Sequence, residues 1–386
     1  MELVTKMKQT FSPKPKRETR DRLNIYTISQ LFNQLVNFQQ LVKSLRSFIG
    51  KGQLIRVDVI LDCIGLAIDN MMQSMMYDRH DFELQFNRIK EELARIHVRC
   101  SDIKIKSLYP RLIKMDLVIN SPPKELTLLS IQTILESITN EPLRLIVEKT
   151  KGKQTKIKVY SSNMFKIDHA VSYVGKDGNK ISGDSYIYEN FTNGQTFIAI
   201  SDGMGNGELA HKESSEALKI LKCLLSFNIP IKTAIQTLQQ LKQHSNANER
   251  FFSLDICMID RERQRATFYK KGATPTFLVR NHQIELINLA QLPVGVMSDQ
   301  EVDHVTLSLE EDDVLLMCSD GIVEQYPDIK ELEQVILNQM GKSPKNIAKN
   351  ILQATVSKHK GKIKDDMMVL VVEYKRQGVA QAQYAS

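Results

Sequence analysis

The spacing of apolar residues changes character along this chain. Ile28, Leu31, Leu35, Phe38, Val42, Leu45 and Ile49 alternate three and four apart, and Gly50 and Gly52 close the run. This is the stripe of an amphipathic helix with a glycine stop, about three heptads long. A second apolar stretch runs from Leu54 to Met76. Phe82, Phe86, Ile89, Leu93 and Ile96 mark a third helix with the same four-three spacing. Residues 23–96 therefore read as helical, and two readings stay open for them. They form a small bundle with these faces as its core, or a coiled-coil element for self-association and regulation with Leu35 and Phe38 at the centre of its seam.

From about residue 97 the period shortens. Val98, Ile103, Ile105 and Lys114–Asn120 read as strands, and Ser121-Pro122-Pro123 is a break. Glu125–Thr139 reads as a helix, and Arg144–Glu148 with Lys156–Tyr160 as a hairpin. Residues 97–162 are thus expected to form a small α+β segment. Over 163–375 the strands are short and hairpin-like. Helices come in two groups, Gly207–Phe227 with Ile231–Gln243 and Lys330–Met340 with Pro344–Lys358. Such a pattern predicts antiparallel sheets layered with helices rather than a doubly wound parallel sheet. Residues 376–386 read as a frayed tail.

Composition changes this picture little. A chain of 386 residues allows for roughly two to three domains. The net charge of +7 gathers at the N-terminus, where Lys6, Lys8, Lys14, Lys16, Arg17, Arg20 and Arg22 crowd together. Residues 1–22 read as a solvated, disordered basic tail, and no nucleic-acid partner is expected. The five cysteines show no paired spacing, which argues against disulfides and zinc. No apolar run is long enough to span a membrane, and no secretory leader is visible. The expected location is cytoplasmic, with membrane or septum association if a longer chain or a partner supplies an anchor.

The chemistry lies in acids at strand ends. In "FIAISDGMGNG" an apolar strand stops on Asp202, and Gly203, Gly205 and Gly207 follow. Asn193-Gly194 is a hairpin turn signal. Asp184 precedes Asn193 by nine residues and Asp202 follows it by nine, so antiparallel pairing brings the two carboxylates to one end of the hairpin. "VLLMCSDG" repeats the pattern at Asp320, and Asp365-Asp366 stand just before a strand in "KDDMMVLVVEY". Converging carboxylates repel one another and are kept ionised by a hard cation. Oxygen-only ligands favour magnesium, manganese or calcium. Gly203, lacking a Cβ, lets the backbone approach such a cation with its carbonyl.

These motifs resemble the metal-dependent protein phosphatases of the protein phosphatase 2C-like group, with a closer similarity to the stage II sporulation protein E branch. "SGDSY" (Ser182–Tyr186), "ISDGMGNG" (Ile200–Gly207), "KGATP" (Lys271–Pro275), "LPVGV" (Leu292–Val296), "SDGIVE" (Ser319–Glu324) and "DDMMVLVV" (Asp365–Val372) carry the resemblance. It implies a hydrolase with an α+β fold, a four-layer α-β-β-α sandwich of two antiparallel sheets flanked by helices. It also implies a centre of two Mn2+ or Mg2+ ions, in which Asp202 bridges both. Asp184 and the Gly203 carbonyl would serve one ion, Asp320 and Asp366 the other, with Asp202, Asp320 and Asp366 central to catalysis. The implied reaction is dephosphorylation of a phosphorylated anti-anti-sigma factor, which activates a sporulation sigma factor. Two departures stand out: Met204 replaces a His common in the wider family, and Met368 replaces a usual Thr. His211, on the following helix, is expected to be an exposed residue without a role. The competing reading is a catalytically silent scaffold that assembles through the N-terminal helices with division or membrane proteins.

Overall fold

The computed structural model describes residues 34–47, 57–108, 113–120, 124–148, 154–162, 165–179, 181–191, 193–205, 207–243, 251–296, 301–358 and 361–376. The basic tail, the frayed tail, and the seam positions Ile28, Leu31 and Ile49 lie outside them. Helix α1 covers residues 34–47, and α2 covers Val57–Arg95. A first sheet follows, from β1 (Cys100–Ser107), β2 (Lys114–Ile119), β3 (Leu143–Glu148) and β4 (Thr155–Ser161), with α3 (Glu125–Thr139) between β2 and β3. Its strand order is β1-β2-β4-β3, and every neighbouring pair is antiparallel. Alternation along β4 is strict, with Ile157 and Val159 fully buried. They meet Ile131 and Leu135 of α3 and Phe86, Ile89 and Leu93 of α2 in one apolar core.

Two five-stranded antiparallel sheets make up the rest. Strands β5 (Phe165–Val174), β10 (Thr276–Arg280), β11 (Gln283–Ile287), β13 (Asp313–Cys318) and β14 (Met367–Arg376) take the order β11-β10-β13-β14-β5. Strands β6 (Asp184–Asn190), β7 (Gln195–Asp202), β8 (Leu254–Asp260), β9 (Arg265–Lys271) and β12 (Val305–Ser308) take the order β12-β9-β8-β7-β6. Ile198, Ile200, Cys257 and Phe268 of the second sheet pack against Leu278, Leu315, Met317 and Leu370 of the first. The opposite face of the second sheet, through Phe197, Ala199 and Ile256, packs on α4 (Gly207–Ser226) and α5 (Ile231–Gln243). The other sheet turns Phe277, Leu316 and Val369 toward α7 (Ile329–Leu337) and α8 (Pro344–Lys358), with the short helix α6 (Asp320–Val323) at its edge. Central strands such as β13 are buried at every position, as strands covered on both faces must be.

The N-terminal helices differ from their expected form. The two apolar stretches divided near residue 77 lie on one continuous helix of 39 residues, α2. The polar stretch Tyr77–Asp81 holds neither glycine nor proline, so nothing stops the helix there. No separate bundle forms among the described residues. Cys63 and Ala67 near the start of α2 join the core of α4 and α5, whereas Phe86, Ile89 and Leu93 join the core of the small sheet. Helix α1 also docks on the core of α4 and α5, through Phe38, Leu41 and Leu45, and Phe38 meets Phe227 edge-on at 6.5 Å. The buried stripe is therefore rotated from the predicted seam: Leu35 and Val42 are 56% and 41% exposed.

Candidate functional site

The β6–β7 hairpin pairs Asp184 directly with Asp202. Gly194, at the turn, has a φ of +83°, the left-handed conformation that glycine favours there. Asp184 is buried, and neither carboxylate oxygen has a hydrogen-bond partner. It approaches Asp202 and the Ser319 hydroxyl without a bond of good geometry to either. Asp202 is held by its backbone: its N–H donates to Ser253 Oγ at 3.2 Å, and Ser253 N donates back to its carbonyl at 2.9 Å. Gly203 is required for a close approach, because a Cβ there would lie 2.3 Å from the Ala210 carbonyl of α4.

Asp320 opens α6 at the end of β13. The neighbouring Ser319 ties this strand end to β14, accepting from Met368 N at 2.8 Å and donating its own N–H to Met368 O at 3.0 Å. The two acids before β14 part company. Asp366 is buried, and its oxygens accept the N–H groups of Lys176 and Gly183, each at 2.8 Å. Asp365 is exposed, and its charge bears on both Asp202 and Asp320. Asp365, whose Oδ1 accepts the Asp366 N–H at 2.9 Å, thus acts on the Asp202–Asp320 cluster by charge, while Asp366 clamps two loops.

Helix α4 grips the loop that leads into Asp184. His211 is exposed, as expected, but its Nδ1 lies 2.9 Å from the Ser182 carbonyl. Ser214 donates to the Gly183 carbonyl at 2.7 Å. Sequence reasoning gave neither residue a role. Their spacing of three on one helix face was the available signal, and it points to the same loop from both.

Burial and mutual repulsion raise the acids of this cluster. Burial first, then the Asp184 and Asp320 carboxylates, push Asp202 well above the ordinary carboxylate range. Asp184 is raised chiefly by burial, with Asp366 and Asp320 adding to it against the Ser319 hydroxyl. Asp320 is raised by burial and Asp365. Acids held in this way need either shared protons or a bound cation. Among the described residues no three His, Cys, Asp or Glu side chains form a ready-made cage. The donor set still fits a hard cation, because two buried carboxylate oxygens of Asp184 await a partner.

The chain is similar to proteins of known family. The stage II sporulation protein E (SpoIIE) family matches residues 192–375. A stage II sporulation protein E of Priestia megaterium is 29% identical over 319 residues, covering 80% of this chain and 54% of its own length. That of Bacillus subtilis is 28% identical over 302 residues, covering 76% of this chain and 36% of its own. The chain thus spans about half or less of the curated relatives it matches. A solved structure of the PP2C phosphatase domain and a fragment of the regulatory domain of Bacillus subtilis SpoIIE superposes with a TM-score of 0.67 at 27% identity. The match covers 83% of this chain and 96% of that one. Its sheets, its acid cluster and the matched segment together make this chain similar to the SpoIIE-like, PP2C-type protein serine/threonine phosphatases.

Proposed function

We propose that the chain is a Mn2+- or Mg2+-dependent phosphoserine/phosphothreonine phosphatase whose substrate is a phosphorylated anti-anti-sigma factor in a sporulation sigma cascade. The observation that carries the catalytic part is the buried, partnerless Asp184 carboxylate set opposite Asp202. In this reading Asp184, Asp202, the Gly203 carbonyl and Asp320 would hold two such ions, with Asp202 serving both. The resemblance implies Asp366 beside Asp320. Asp365 suits that place better, because both Asp366 oxygens already accept backbone N–H groups. When bound, two such ions would supply a nucleophilic water near neutral pH and charge to offset the phosphoryl oxygens. The chain's own residues fix the spacing of the carboxylates. Met204 offers no proton and His211 is held on the Ser182 carbonyl, so solvent protonates the leaving oxygen.

Substrate and partners rest on the named relatives, both stage II sporulation proteins E. A cytoplasmic location, self-association through the N-terminal helices and a septal or membrane partner belong to the same reading. No helix among the described residues is long and apolar enough to cross a membrane. The test is hydrolysis of p-nitrophenyl phosphate and of a serine-phosphorylated anti-anti-sigma factor, with Mn2+ and with EDTA. Manganese-dependent turnover of both is expected. No turnover of either would leave the scaffold reading, and turnover of the small ester alone would remove the assigned substrate.

A further inference from the structure

The strand ends that carry Asp202 and Asp320 belong to different sheets, and a buried ionic hub lies between them. Asp255 continues the inward row of Cys257 and Ile259 on β8, and Lys270 continues that of Phe268 on β9. Lys270 is fully buried and Asp255 nearly so. The ammonium has three donors and reaches three acceptors: Asp255 Oδ1 at 2.7 Å, the Thr274 carbonyl at 2.7 Å and Thr276 Oγ1 at 2.8 Å. Thr276 in turn donates to Asp255 Oδ2 at 2.9 Å. Every strong donor and acceptor in the hub is engaged, although an ion pair in such a place gives little net stability over an apolar pair.

Its connections suggest its use. On one side Asp255 is two residues from Ser253, which holds the Asp202 backbone in both directions. On the other side the Thr274 hydroxyl donates to the Cys318 carbonyl, two residues before Asp320. The path runs from the Asp202 strand end through Ser253, Asp255, Lys270 and Thr274 to the Asp320 strand end. Apolar packing between sheets slides; a three-armed ammonium does not, because each arm has a fixed acceptor. We propose that Lys270, acting through Asp255 and Thr274, is a positioning residue that sets the spacing of the Asp202 and Asp320 strand ends and thereby the affinity of the site for its cations. This rests on the phosphatase reading above.

The experiment compares the full chain with Thr274→Val and Thr274→Ser, and with the charge-balanced pair Lys270→Met/Asp255→Asn. Free Mn2+ is measured by electron paramagnetic resonance during titration. The half-saturating Mn2+ for p-nitrophenyl phosphate hydrolysis and the melting temperature without metal are measured beside it. Thr274→Val keeps shape and ion pair but loses the arm to Cys318; it should weaken Mn2+ binding about tenfold or more, the usual effect of removing a group that orients a ligand. Thr274→Ser keeps the hydroxyl and should restore it, with both variants melting close to the parent. The paired variant should weaken Mn2+ in the same way. If it fails to fold, the Val and Ser variants decide. Equal Mn2+ affinity in the Val variant and the parent, with turnover intact, overturns the positioning role alone. A parent that binds no Mn2+ overturns both this inference and the phosphatase reading.

Discussion

At the scale of single residues, the acid cluster sets opposing demands on charge. Asp202→Asn removes the one carboxylate read as shared, so it should abolish turnover more fully than Asp184→Asn; equal residual rates at saturating Mn2+ would contradict the sharing. Asp365 and Asp366 should separate by readout. Asp365→Ala should weaken Mn2+ with little change in melting, because the side chain is exposed. Asp366→Ala strands two N–H groups and should cost ~1–3 kcal/mol for each that stays buried. A metal-free melt of each variant with a Mn2+ titration checks this, and reversed effects would restore Asp366 as the ligand. Two adjacent acids could not be told apart in the sequence, since one step along an extended chain reverses the direction of the side chain. Met368 has a clearer outcome. It is buried among the apolar residues between the sheets, so Met368→Thr, despite the usual family hydroxyl, should lower stability by ~1–3 kcal/mol with nothing there to receive the new group. An unchanged melting temperature would show that a partner exists.

At the scale of elements, the hairpin was legible because its signals are local. Asn193-Gly194 fixed the turn, and equal counting on either side fixed the register of Asp184 against Asp202. The layered sheets were legible for the same reason. The face of α1 was not, because a heptad pattern does not say which neighbour will cover it. Leu41, outside the predicted seam, is fully buried, and Leu35 within it stands largely in solvent. Leu41→Ala should therefore cost ~2–5 kcal/mol if the whole chain unfolds together, and Leu35→Ala less than ~0.5 kcal/mol. Denaturant melts of the two variants decide; a large effect at Leu35 would mean that another chain covers it. The hairpin also sets a pH response. Asp184 and Asp202 are both raised in the folded state. The metal-free fold therefore holds more protons than the unfolded chain above pH ~4. Its stability should fall as pH rises from there through the raised values. Added Mn2+ should reverse the fall and release protons. Melting in EDTA across pH, with and without Mn2+, measures this. A metal-free melting temperature that rises over that window would sink the assignment.

At the scale of the whole molecule, α2 is the unusual part. Its 39 residues reach about 58 Å, and its two halves are buried in different cores. A helix is cooperative along its length, so neither core can release its share without fraying the other's. The small sheet and the phosphatase-like sheets are thus joined by a shared structural member rather than by a tether. Calorimetry of the chain should show one transition, where two domains on a flexible linker would show two. Asn70→Pro, placed between the buried halves, would break the rod at a cost of ~3 kcal/mol and should split the peak. In mechanical terms α2 is a beam clamped at both ends, and whatever bends it at the small sheet is felt as torque where Cys63 and Ala67 lie against α4 and α5.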